Sequence, residues 1–204
     1  MDTKAEILDQ TFALTMKYGI KSVSMDDIAR QIGISKKTIY QHFDNKKALV
    51  QEMVQMQISQ DEADIAVIIA ESKDAIDEMV GIARHILSFL RAMSPSLMYD
   101  MQKYYAKEWQ MVDMHHRSFL YGIVKSNIER GKSEGYYLQE INADVLARLY
   151  GNMCQCITDE EYFPLRDYSK SDLYADLVSY HMRGIVSPKG LELFTTQQNR
   201  LTQL

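Results

Sequence analysis

Apolar residues recur along this chain at the three-to-four spacing of helices, with no alternating stretch long enough to suggest a strand. Residues 3 to 18 turn Ile7, Leu8, Phe12 and Leu14 toward one broad apolar side, and Gly19 closes the segment. Ser24 is a good N-cap, with Asp27 three residues on in a weaker version of the capping box. Ile28, Ala29 and Ile32 then face inward, Ala29 being small enough to let another helix cross closely. Gly33 supplies a tight turn, Ser35 caps the next helix, and Ile39 with Phe43 anchor that helix to the core. Asp44-Asn45 breaks and recaps the chain before a long helix from Lys46 through Ala48, Leu49, Met53 and Met56. Further helices are expected near 74 to 93, 96 to 105, 106 to 131, 142 to 158 and 170 to 186. Ser94-Pro95, Gly131 to Gly135 and Phe163-Pro164 supply the breaks. The pattern predicts an all-α chain of about nine helices with no internal repeat.

Composition changes this picture little. Only three Pro in 204 residues suits a helical chain, and thirteen Met with thirteen Tyr is an unusual supply of large, adaptable side chains. The longest apolar run, Ile65 to Ala70, falls far short of the roughly 18 residues a membrane span needs. The first residues lack a basic patch followed by an apolar stretch, so no signal peptide is expected and the chain reads as cytoplasmic. Cys154 and Cys156, two apart on a helix, point about 200° away from each other and read as small packing residues.

Charge is more informative once divided. The chain carries −5 overall, but residues 1 to 50 hold eight Lys and Arg against six Asp and Glu, a balance of +2. The remainder holds fifteen against twenty-two, a balance of −7. A mildly basic head on an acidic body fits nucleic-acid binding by one end only.

That end also carries the chemistry. Two short helices joined at Gly33 form a plausible helix-turn-helix unit. With Ile39 inward, the ~100° step per residue places Lys37 and Gln41 almost opposite it. Thr38 and Tyr40 flank that outward face, and Lys36 and His42 lie nearer its edges. An ordinary solvated helix pair is the competing reading.

Over residues 7 to 49 the chain resembles the TetR family of bacterial transcriptional regulators. The resemblance rests on Ile7-Leu8, Gly19, Ile28-Ala29, Gly33-Ile34-Ser35, Thr38-Ile39-Tyr40, Phe43 and Lys46, in that order. Thr11 and Thr15 stand where the family often has Ala and Phe, and Lys37 where Gly is common. The resemblance implies a three-helix DNA-binding domain over 1–48, a helical ligand-binding and dimerisation domain over 49–188, and a tail over 189–204. It implies DNA contacts at Ser24, Lys36, Lys37, Thr38, Tyr40, Gln41, His42 and Lys46. Gln41 suits a bidentate contact to adenine and, with Lys37, is the expected base reader. Thr38 and Tyr40 offer hydroxyls to phosphate, and Ser24 and Lys46 stand at helix N-termini that favour it. The implied function is a homodimeric repressor that leaves a palindromic operator in double-stranded DNA when a small-molecule effector binds. An activator with the same head, or a ligand-sequestering module without DNA binding, are the alternatives.

In the body the resemblance is one of helix number and length. Leu146, Leu149 and Met153, with Leu173, Leu177 and Tyr180, form two stripes that two-fold symmetry would turn into a four-helix dimer interface. A monomer core competes with that reading. The aromatic and Met-rich middle suggests an effector pocket drawing on His85, Phe89, Tyr99, Tyr105, Trp109 and His116, though plain packing suits each residue as well. His115-His116 beside Asp113 lacks the spacing of a metal site, and no Walker loop, GxSxG or HExxH motif is present. Neither a cofactor, a metal nor an enzymatic activity is expected.

Overall fold

Side-chain caps set where most of the helices begin. In the computed structural model, which describes residues 3–198 and 201, the chain runs α1 (Thr3–Tyr18), α2 (Met25–Ile32), α3 (Lys36–His42), α4 (Lys46–Glu71), α5 (Ala75–Ala92), α6 (Pro95–Tyr104), α7 (Ala106–Ser133), α8 (Ala143–Cys156), α9 (Lys170–Ile185) and α10 (Pro188–Gln197). Ser24, Ser35, Asn142, Ser169 and Ser187 each accept a hydrogen bond from the backbone N–H three residues on. Pro95 and Pro188 occupy first-turn positions, where a missing N–H is tolerated. An isolated bridge between Tyr137 and Val186 is the sole β pairing among the described residues. The fold is all-α.

Ten helices stand where about nine were expected. The additional one, α10, lies in the segment expected to be a polar tail. Fully buried Phe194 explains it, because one large aromatic in the core outweighs the polarity around it. Residues 199, 200 and 202–204 of that segment lie outside the described residues.

The chain divides into two compact units. The first comprises Met1–Ala63 and Ala92–His115. Its core gathers Ile7, Leu8 and Met16 of α1, Ile28 and Ala29 of α2, Ile39 of α3, Phe43, and Leu49, Val50, Met53 and Val54 of α4. Leu97 and Met101 of α6 complete it. The expected cut after residue 48 does not coincide with this unit. Helix α4 continues unbroken past that point, and its buried Leu49, Val50, Met53 and Val54 belong to the same cluster as Ile39 and Phe43.

Backbone geometry holds α1 against α6 within this unit. Gly19 adopts φ +80°, and a Cβ there would come within 2.5 Å of Ser96 Oγ, so both conformation and space demand glycine. The N–H of Lys21 donates to Asp100 Oδ2 at 2.8 Å, and the N–H of Ser94 donates to the Met16 carbonyl at 2.8 Å. Thr11 and Thr15 are fully buried in α1, each returning its hydroxyl to a carbonyl of the preceding turn.

The second unit comprises Asp64–Arg91 and His116–Leu204. Its main core runs through Ile76, Met79 and Leu87 of α5, Ala147 and Tyr150 of α8, Val178 and Met182 of α9, and Phe194. A buried polar network accompanies it. Arg130 donates to Glu78 Oε2 at 2.6 Å, Asn127 Nδ2 to Glu78 Oε1 at 2.9 Å, and Tyr137 OH to Asn127 Oδ1 at 2.9 Å. Because each partner is satisfied, the network fixes α7 to the start of α5 rather than weakening the core. No helix among the described residues is long and apolar enough to cross a membrane.

Candidate nucleic-acid interface

Helix α2 is set by its cap. Ser24 accepts from the Asp27 N–H at 3.1 Å, while the Ser24 N–H and hydroxyl both donate to Asp27 Oδ2. Those bonds hold the Asp27 carboxyl below its usual range. They also commit the donors that Ser24 was expected to offer phosphate, next to the negative charges of Asp26 and Asp27. The structure makes Ser24 a cap.

The turn follows from Gly33, whose φ of 79° and ψ of 27° lie in the left-handed region. Its N–H and that of Ile34 both donate to the Ala29 carbonyl, closing α2. Nothing lies within 4 Å of where a Gly33 Cβ would be, so conformation alone selects glycine here.

Helix α3 then presents its face. Ser35 caps it, its hydroxyl also lying 2.9 Å from that of Thr38, so Thr38 is part of the cap as well as part of the surface. Ile39 and Phe43 point into the core as expected. Lys37 and Gln41 are exposed on the opposite side, with Tyr40 and His42 exposed toward its edges. Among the described residues neither Lys37 nor Gln41 has a hydrogen-bond or ion-pair partner, and being four positions apart they lie side by side. Lys36 is exposed but pairs with Asp26 at 2.8 Å, which raises its pKa.

Lys46 departs from expectation. Its ammonium donates to the Ile20 carbonyl in the loop after α1, and burial lowers its pKa. It braces the first turn of α4, and phosphate contact is not where its proton donor points.

The expected effector residues are divided between the two units. Tyr99, Tyr105 and Trp109 belong to the first unit, and His85, Phe89 and His116 to the second. Tyr105 and Trp109 are half-buried in the first unit's core, whereas Phe89, Tyr99 and His116 are exposed. A cleft of about 410 Å³ lies in the head, lined by Leu14, Tyr18, Ser22, Val23, Asp27, Arg30 and Gln31, and includes none of the six. Of the expected interface residues, Leu149 and Tyr180 are exposed, Tyr180 by 72%. Leu146 and Met153 pack partly against the second core. Leu177 is 7% exposed, because it faces that core, and is not presented for dimerisation. Val145, one turn before Leu149 on α8 and also exposed, was not among the expected interface residues. Its i,i+4 spacing to Leu149 was the available signal.

Among the described residues no group of three His, Cys, Asp or Glu could hold a metal ion. The Cys154 thiol is pushed up to about 12 by burial, as suits an inert packing residue.

Similarity to known proteins bears on both units. The family described as "Bacterial regulatory proteins, tetR family" matches residues 7–53. The uncharacterized HTH-type transcriptional regulator YvaF of Bacillus subtilis is 23% identical over 184 residues, 89% of this chain and 94% of its own. The biofilm operon icaADBC HTH-type negative transcriptional regulator IcaR of Staphylococcus aureus is 35% identical over 51 residues, 25% of this chain and 27% of its own. Among solved structures, a transcriptional regulator from Cytophaga hutchinsonii superposes with a TM-score of 0.72 at 14% identity, over 89% of this chain and 97% of its own. A gamma-butyrolactone receptor superposes with a TM-score of 0.64 at 16% identity, over 98% of this chain and 96% of its own. These proteins are regulators and a receptor, not enzymes.

Proposed function

Its head makes this chain a TetR-family helix-turn-helix transcriptional regulator, and from that premise we propose that it is a homodimeric repressor released from its operator by a small molecule. The observation that carries the reading is the unpartnered, outward pair Lys37 and Gln41 on a helix whose inner face is fixed by Ile39 and Phe43. Gln41 reads an adenine edge in the major groove and Lys37 a guanine edge beside it. Tyr40, Thr38, Lys36 and His42 border them and meet the backbone. Ser24 and Lys46 act one step back, holding α2 and α4 so that α3 keeps its pose.

Two copies of α3 reach successive major grooves only if the chain pairs with itself, at half-sites ~34–36 Å apart or a multiple of it. The exposed Val145, Leu149 and Tyr180 on α8 and α9 are the proposed seam. Repression is supported by IcaR, a negative regulator by its own name, over the head alone. Effector response is supported by the likeness of the whole chain to a receptor. The balance of −7 over the body supports DNA binding by the head.

Mobility shifts with fragments of the chain's own promoter region, at stated salt, test this. A palindrome should be retained by the native protein. Gln41→Ala and Lys37→Ala should each lose about 1–3 kcal/mol on that palindrome and relax the base preference at one position per half-site. Unchanged binding in both variants would remove the reader assignment.

A further inference from the structure

Glu108, the third residue of α7, is 3% exposed, and its Oε2 is buried without a hydrogen-bond partner among the described residues. A helix N-terminus favours an anion, which offsets part of the cost of burying this one. It does not supply a donor to Oε2. A buried carboxylate lacking its partner is costly enough that proteins rarely keep one without use.

The surroundings indicate the use. Met111 and Val112 lie three and four residues from Glu108 along its own flank of α7, Tyr105 caps α6 three residues before it, and Trp109 follows it directly. All four are partly buried members of the first unit's apolar cluster, with Met93 and buried Met101. Burial raises the pKa of the Tyr105 hydroxyl, and the charges of Asp100 and Glu108 raise it further. Asp100 has its donor in the Lys21 N–H. Half-buried Lys46 is committed to the Ile20 carbonyl. Glu108 is the acid left over.

We propose that Glu108, flanked by Tyr105 and Trp109, is the charge-reading element of an effector site, and that the effector is a small organic monocation. The carboxylate neutralises the ligand's charge, and the aromatic faces supply the cation–π attraction that suits an alkylated ammonium. Unbranched Met93, Met101 and Met111 can rearrange around its alkyl groups. The proposal rests on the effector-released reading given above.

Trp109 is the single tryptophan in the chain and lies next to Glu108, so its emission reports the site directly. The full-length protein would be titrated with tetraethylammonium and benzyltrimethylammonium, and with neopentylbenzene, the uncharged carbon isostere of the latter. A saturable change should appear with at least one cation, and benzyltrimethylammonium should bind about tenfold or more tighter than its isostere. Glu108→Gln should erase that preference while melting no lower than the native protein. No response to either cation, equal binding of cation and isostere, or an unchanged preference in Glu108→Gln would overturn the proposal. The same titrations on the operator complex separate the two readings. A cation that binds without releasing DNA supports the site and overturns effector release. Release by the isostere as readily as by the cation supports effector release and overturns the charge-reading role.

Discussion

The ammonium of Lys46 donates to the carbonyl oxygen of Ile20, so the first residue of α4 grips the end of the loop that leaves α1. Lys46→Met should therefore lower the stability of the protein by about 1–2 kcal/mol, the worth of a hydrogen bond to a charged group. It should weaken all DNA sequences alike through that loss. Lys37→Ala, by contrast, should lose affinity chiefly on the preferred operator and relax the base preference there. A flattened salt slope in Lys46→Met, with unchanged melting, would return Lys46 to the phosphate contacts.

Gly33 holds a positive φ with open space around it. Gly33→Ala should cost about 1 kcal/mol, and Gly33→Asn less, because Asn tolerates the left-handed region. Both effects should appear in thermal melting. Equal melting of all three proteins would show that the turn relaxes into another conformation.

Burial lowers the His181 pKa to about 4, its ring packing against Tyr150 at 4.7 Å between centroids. Above pH ~6.5 neither the folded nor the unfolded chain protonates this side chain. Between ~6.5 and about 4 the unfolded chain takes up a proton that the folded one refuses, so stability falls as pH falls. The loss should approach about 3 kcal/mol at the acid end of that window. Denaturant melts at pH 7.5 and pH 5, compared between the native protein and His181→Phe, should show a shallower slope in the variant.

Leu149→Glu combined with Tyr180→Glu should convert the proposed dimer to a monomer in analytical ultracentrifugation with little change in melting of the protomer. Leu177→Ala should do the reverse, lowering stability by about 2–5 kcal/mol through a core cavity. A double Glu variant that still sediments as a dimer would move the seam elsewhere.

Helix positions in this chain were legible because local signals agree with one another. Ser24, Gly33 and Ser35 cap or break where sequence chemistry says they should, and Ile39 and Phe43 face inward as their spacing requires. What was hidden depends on partners distant in sequence. Lys46 looks like any basic residue at a helix start until Ile20 is placed beside it. Leu177 shares its spacing with an exposed stripe, and only packing decides which side of α9 faces the core. Asn127 and Glu78, fully or almost fully buried, are polar residues that periodicity assigns to the surface, and each is held inside by a partner some fifty residues away. Glu108 escaped notice for the same reason, since a charged residue among apolar ones at helical spacing reads as a solvated position.

The Asp26–Lys36 ion pair bears on how such a head would search a chromosome. Random-sequence DNA holds a protein almost wholly through phosphate, with release of condensed counterions. Lys36 already has a carboxylate where a phosphate would sit, so switching partners gains it little. The cost of that exchange would fall equally on every stretch of DNA, whereas the proposed base contacts of Gln41 would be made only at the operator. Under the proposed reading Asp26 would be a built-in competitor, shortening each stay at a wrong site more than it lowers the final affinity at the right one, and its removal would give a stickier, slower-searching regulator.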